Sequence, residues 1–256
     1  MKMIKKLAKY IFDADYRFLI DARDGKYDHL TDEEAMLGNM YAKKETKTLN
    51  DAYSTIEFLF HTIVTLIFTI TGVLLIPFIR IYTSNFTDAE YILPLFGVMM
   101  VLGQTVYCIR IPYEMMIRVA GHYKQTQTSY IIEVVICVVA SCLLVWRFGV
   151  VGVATGTLFS MCYRTGYLVW YLSKNILFRK IRIFIKYLLV DVLSAGLMIL
   201  ATAWIKLSEV NYLSWIFMAV QVGIICLIIS LVLNFLLLRK TLSESTKFFL
   251  RSRKKM

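Results

Sequence analysis

Val220-Gln221-Val222-Gly223-Ile224-Ile225-Cys226-Leu227-Ile228-Ile229-Ser230-Leu231-Val232-Leu233 decides the fold class. Apolar residues follow one another here without the strict alternation that a membrane barrel strand needs over about 10 residues. The run belongs to a longer apolar stretch over 212–238. A hydrocarbon core of about 30 Å takes roughly 20 helical residues to cross, so the stretch suits a membrane-spanning helix. Five more stretches read the same way, over 58–81, 91–113, 129–146, 150–172 and 184–205. The expectation is an all-α membrane protein with six transmembrane helices.

Composition agrees. Of 256 residues, 58% are hydrophobic and 18% charged, and mean hydropathy is +0.62. A soluble domain carries about 25% charged residues and needs them to cover itself in water. The net charge of +11 would suit nucleic acid if it were spread over a soluble surface. Instead it is concentrated between and beyond the apolar stretches, so nucleic acid is not an expected partner and the bilayer is.

The basic residues also predict orientation, because cytoplasmic segments collect Lys and Arg. Ten lie before the first span, two (Arg118, Lys124) between spans two and three, five between four and five, and seven after span six. The alternate loops hold only Arg80, Arg147 and Lys206. Both termini are therefore expected in the cytoplasm. The chain divides into a cytoplasmic segment over 1–54, a six-helix lobe over 55–238 and a basic tail over 239–256. Asp13, Asp15 and Arg17 interrupt the apolar run that a signal peptide would need after Lys2, Lys5 and Lys6, so insertion is expected through the first true span.

Ionisable groups within spans are costly and face protein or a cavity unless they reach the interface. Arg110, Arg164, Glu133 and Asp191 all fall in the cytoplasmic half of their spans. Snorkelling to the interface is the ordinary reading for Asp191 and Arg110. Arg164 lies among Ser160, Cys162, Tyr163, Thr165 and Gly166, a pattern that predicts an inward face. An arginine fork binds phosphate in two places at once, so two arginines opening to the cytoplasm would suit an anionic head group. Glu57 and His61, four apart, share a helix face. They read either as an interfacial pair or as part of a proton relay. Pro77, Pro94 and Pro112 mark kinks or helix starts. Gly149, Gly152 and Gly156 include a GxxxG spacing that allows close helix approach.

Other chemistries are not indicated. The five cysteines lie in apolar stretches without a CxxC, which predicts packing and no metal site. There is no phosphate-binding glycine loop, GxSxG or HExxH. The acidic stretch 21–34 fails as a calcium loop, because Gly25 at its sixth position puts Ile20 first and Thr31 twelfth. No cofactor is expected. Enzymatic use of a lipid-linked sugar would have little beyond Glu114, His122 and Lys124 to work with, so the chain is not expected to be an enzyme.

Several segments agree in order with one family. They are Leu37-Gly38-Asn39-Met40-Tyr41-Ala42-Lys43-Lys44-Glu45, Pro77-Phe78-Ile79-Arg80-Ile81-Tyr82-Thr83, Arg110-Ile111-Pro112-Tyr113 and Ala120-Gly121-His122-Tyr123-Lys124-Gln125-Thr126. Glu133, the stretch from Phe148 to Thr157, and Tyr163-Arg164-Thr165 follow. Over 37–175 the chain resembles the C-terminal half of bacterial polysaccharide (O-antigen and capsule, Wzx-like) flippases, of the MOP exporter superfamily that includes MATE transporters. The resemblance implies translocation of an undecaprenyl-pyrophosphate-linked oligosaccharide across the bacterial cytoplasmic membrane. It implies a cationic cavity between two six-helix lobes, with Arg110, Arg164 and Lys124 as substrate-binding candidates. Glu133, His122, Pro112 and Asp191 are the structural or gating candidates. Such flippases have about twelve helices, so the expectation is a half-transporter acting as a homodimer or with a separate N-terminal lobe. The alternative is an accessory membrane protein that scaffolds glycan-assembly enzymes. Residues 1–35 resemble the opening of TupA-like ATP-grasp enzymes, which implies a fusion near Ala35; the catalytic body of such an enzyme is absent, so no activity is implied.

Overall fold

A computed structural model of the chain describes residues 32–84, 92–205, 207 and 209–237. The ATP-grasp-like stretch lies almost wholly outside the described residues, as do most of the basic N-terminal segment and the whole basic tail. Seven helices and no strand occur among the described residues: α1 (Asp32–Ala42), α2 (Thr46–Tyr82), α3 (Pro94–Val119), α4 (Tyr123–Phe148), α5 (Val150–Asn175), α6 (Arg182–Thr202) and α7 (Tyr212–Leu237). Each apolar stretch read from the sequence is one of the last six. The helices outrun the apolar stretches where polar residues continue the turn. At 37 residues, α2 is about 55 Å long at 1.5 Å per residue, far more than a bilayer core needs. The boundary expected at 54/55 thus falls inside a helix. Its first turns carry Leu49, Ala52 and Tyr53 into a core with Leu37 of α1, Met116 of α3 and Leu172 of α5.

Five of the helices, α2, α3, α4, α6 and α7, are long and apolar enough to cross a membrane. The expectation of six therefore holds only in part. α5 has the length but not the apolarity, because Thr155, Thr157, Ser160, Arg164 and Thr165 interrupt it. Its position explains this. α5 packs between α3 and α4, so much of its surface meets protein and needs no lipid-compatible side chain. By contrast α4 exposes Ile131, Val134, Val135, Val138 and Leu143, a surface too apolar for water and suited to hydrocarbon.

The α4–α5 hairpin turns on a single residue. Gly149 caps both helices at φ 55°, ψ −135°, a backbone region that side chains oppose and glycine accepts. Beyond it the helices run so close that a Cβ on Gly152 would lie 2.3 Å from the Leu144 carbonyl oxygen. A Cβ on Gly156 would lie 2.6 Å from Ser141 N. Ser141 Oγ donates to the Val153 carbonyl at 3.3 Å across the same seam. The GxxxG spacing is thus a helix–helix contact surface.

α2 also carries the rest of the fold. It packs on α3, α6 and α7, and α6 packs on α7. A second core joins Leu74 of α2 to Met198 of α6 and to Met218, Val222 and Cys226 of α7. The Trp215 indole N–H donates to the Leu74 carbonyl at 3.3 Å, and Thr62 Oγ1 donates to Asn234 Oδ1 at 3.3 Å. The prolines divide by position. Pro94 opens α3, where a missing N–H costs nothing. Pro77 and Pro112 lie inside helices and leave the carbonyls four residues earlier, Val73 and Cys108, without their helical donors. All five cysteines are free.

Candidate functional site: two buried charge networks

Arg110 and Glu114 are one turn apart on α3 and share a face. Glu133 reaches them from α4 and Arg164 from α5. Arg110 Nη1 donates to Glu133 Oε1 at 2.7 Å. Arg110 Nε lies 3.1 Å from Glu114 Oε1, an ion-pair contact outside hydrogen-bond geometry. Arg164 Nε donates to Glu114 Oε1 at 3.3 Å and lies 3.3 Å from Glu133 Oε2. The Arg164 guanidinium stacks over the Tyr130 ring, and the Tyr130 hydroxyl donates to Glu114 Oε1 at 3.5 Å. Two guanidinium groups and two carboxylates sum to zero charge. That sum is why a cluster of four charges is tolerated between apolar helices, since buried charges are kept when paired. Two donors are left over: Arg110 Nε and Arg164 Nη1 are buried without a hydrogen-bond partner, the latter on a side chain 1% exposed.

The inward position expected for Arg164 holds. The interfacial reading of Arg110 does not: its side chain is 7% exposed and committed to Glu133. The two arginines do come together as the phosphate-binding reading requires, but each brings a carboxylate that the sequence did not assign to it. Lys124 is exposed on the first turn of α4, about 13 Å along the helix from Glu133 by helical rise, and does not join them. Pro112 is buried on α3 between the two networks in sequence, next to Tyr113.

The second network links α2, α3, α6 and the connection after α5. Arg179 Nη2 donates to Glu57 Oε1 at 2.6 Å, and its guanidinium packs on the Tyr53 ring. Burial works against the Arg179 charge, but the Glu57 carboxylate outweighs it and holds the guanidinium above its ordinary value. The Tyr113 hydroxyl donates to the same Glu57 oxygen. His61 Nε2 lies 3.4 Å from the Tyr113 oxygen, and His61 Nδ1 contacts Asp191 Oδ2. The interfacial reading of Asp191 is thus corrected. Its carboxylate turns inward because an imidazole 130 residues away in sequence meets it there. Glu57 and His61 are not a surface pair either; both are buried.

His122 stands apart from both networks, at the start of α4. Its Nδ1 lies 3.0 Å from the Tyr171 hydroxyl, and its burial pushes the imidazole below its ordinary value. The sign follows. The folded chain binds a proton at His122 less readily than the unfolded chain. This group's contribution is therefore complete above the unfolded value of about 6.5 and is lost as pH falls below it. We expect the melting temperature to drop on acidification and His122→Gln to flatten part of that slope; equal slopes in the two proteins would remove His122 from the account.

The sequence reading missed four members of the networks. Glu114 was legible, being four residues after Arg110. Tyr130, three residues before Glu133, carried a weaker form of the same signal. Tyr113 and Arg179 carried none, since their partners come from other helices. Among the described residues no group of three or more His, Cys, Asp and Glu is arranged to hold a metal ion. Comparison of the chain with protein-family models, with curated proteins and with solved structures finds no match.

Proposed function

We propose that the chain is one lobe of a flippase for undecaprenyl-pyrophosphate-linked oligosaccharides. It would lie in the bacterial cytoplasmic membrane with α2 to α7 as six spans and both termini inside. It would work as a homodimer or with a separate N-terminal lobe. The observation that carries the reading is the buried Arg164 fork with its uncommitted Nη1 beside Arg110. A pyrophosphate can recruit that donor and compete with Glu114 and Glu133 for the others, because all are charge-assisted contacts of the same kind. α5 would cross the bilayer as the sixth span, its polar residues sheltered by α3 and α4. Lys124, on the cytoplasmic side, would meet the head group before it enters.

The test is rescue of surface polysaccharide in a strain lacking the matching flippase. The chain would be expressed alone and with a candidate first lobe. Rescue in either arm supports the proposal and distinguishes homodimer from split transporter. Arg164→Gln alone upsets the charge balance, so the informative variant is Arg164→Gln with Glu114→Gln, which stays neutral. We expect abundance in the membrane above that of Glu114→Gln alone, with rescue per protein reduced at least about tenfold, which is about 1.4 kcal/mol in the rate-limiting barrier. Loss of abundance in step with loss of rescue would overturn the role of Arg164.

One observation favours the second reading, an accessory protein that scaffolds glycan-assembly enzymes. The arginines are already neutralised by the chain's own carboxylates, as in a purely structural cluster. No rescue in either arm, with protein present in the membrane, would decide for it.

A further inference from the structure

The hydrogen bonds of the second network cannot all be made without one extra proton. A tyrosine hydroxyl has a single proton to donate, and Tyr113 gives its proton to Glu57 Oε1. The Tyr113 oxygen can then only accept from His61 Nε2, 3.4 Å away, so Nε2 must carry a proton. On the other side of the ring, Nδ1 faces the Asp191 carboxylate. Two acceptors flank one imidazole. A neutral imidazole has one N–H and serves one of them. Both contacts are satisfied only when the ring is doubly protonated, or when Asp191 itself carries the proton and gives it to Nδ1.

We propose that His61 and Asp191 together hold one exchangeable proton, and that its presence decides which acceptor the Tyr113 hydroxyl serves. With the proton bound, the network runs unbroken from Arg179 through Glu57, Tyr113 and His61 to Asp191 and ties α2 to α6. Its charges cancel, Arg179 against Glu57 and His61 against Asp191. When the proton leaves to water, the network holds one uncompensated negative charge. His61 Nε2 and Glu57 Oε1 then compete for one hydroxyl proton. Glu57 is poorly placed to lose: its Oε2 is already buried without a hydrogen-bond partner. Proton loss therefore leaves one acceptor unserved and loosens the seam between α2 and α6.

Several titratable groups face the site, and the Tyr53 hydroxyl among them is buried without a hydrogen-bond partner. Tyr53 and Glu57 face the site from α2, Tyr113 from α3, Arg179 from the connection after α5, and Tyr187 from α6, its ring 5.4 Å from His61. The Phe184 ring closes the remaining side at 5.8 Å. From α7 the near polar group is Asn234, bonded to Thr62. Arg179 is the one cation among these groups and is committed to Glu57. The proposal does not rest on transport by this chain and stands or falls independently of it.

Amide hydrogen exchange of the whole protein in lipid nanodiscs tests it, read on α6 and corrected for intrinsic exchange, between about pH 5.5 and about pH 8.5, a window centred near the range where histidine changes charge. Protection of α6 should fall several-fold towards the alkaline end, while the C-terminal half of α4, remote in sequence from His122 and with no part in the network, serves as reference. His61→Gln and Asp191→Asn should each make α6 protection independent of pH. Where those variants fail to accumulate, Tyr113→Phe carries the test, since it removes only the shared hydroxyl; the pH response of α6 should shrink by at least about twofold. Wild-type α6 protection that does not change with pH overturns the proposal, as does a pH response left intact in the variants.

Discussion

Glu114→Gln is expected to lower stability by about 3–5 kcal/mol, the usual cost of removing one partner from a buried charge cluster. Glu114 Oε1 is the oxygen that Arg110 and Arg164 share, at 3.1 and 3.3 Å. Taking its charge away leaves two guanidinium groups with only Glu133 between them. Neither arginine can turn to water without leaving the packed faces of α3 and α5, where their side chains are 7% and 1% exposed. The cost is therefore an unpaired buried cation and is not limited to one lost hydrogen bond. That reasoning fixes the outcome of the second substitution. Arg164→Gln placed on top of Glu114→Gln restores neutrality, so the double variant should regain at least half of the loss. Reversible unfolding in mixed micelles measures the three proteins. Additive losses would mean that the four charges do not act as a unit, and the cycle would then contradict the cluster described here.

The same cluster shows where a sequence stops being readable. Arg164 could be placed inward from its neighbours alone, because small and polar residues surround it on its own helix. Its carboxylates could not be named from those neighbours. Glu114 is 50 residues away and Glu133 reaches it from a third helix, and no local pattern encodes that meeting. Asp191 and His61 are a sharper case, since each read singly looks interfacial and only their contact turns both inward. Helix positions were legible because lipid as solvent demands long uninterrupted apolar runs. The ends were less so. α2 begins at Thr46 and α1 forms over Asp32–Ala42 in a stretch without an apolar run. Both are held by tertiary burial, Leu37 and Tyr53 being fully buried against α3 and α5. α5 departs from the reading for a related reason: a helix shielded by neighbours need not be as apolar as one facing lipid.

Alanine at Gly156 or Gly152 is expected to open the α4–α5 hairpin, and the contrast with other glycines makes the expectation sharp. In an ordinary helix, alanine in place of glycine gains about 1 kcal/mol of helix propensity. Gly166 of α5 and Gly196 of α6 have nothing within 4 Å of an added Cβ, so Gly166→Ala and Gly196→Ala should be neutral or stabilising. At Gly156 the added carbon would meet Ser141 N and Oγ, both at 2.6 Å, and at Gly152 the Leu144 carbonyl oxygen at 2.3 Å. These are mostly backbone atoms of α4, which no rotamer change can move aside. The helices must separate, and separation loosens the contacts that run the length of the seam, including the Ser141–Val153 bond. Overpacking of this kind costs about 1–3 kcal/mol at one site and more where backbone itself must shift; the loss should exceed the propensity gain at each site. Separation also moves Glu133 on α4 away from Arg164 on α5. A hairpin variant should therefore weaken the charge cluster as well, and Gly156→Ala combined with Glu114→Gln should cost less than the two losses added together. Unfolding of the four single alanine variants in the same micelles provides the comparison. Equal stability of Gly156→Ala and Gly166→Ala would show that the close approach of α4 and α5 is not what holds the hairpin.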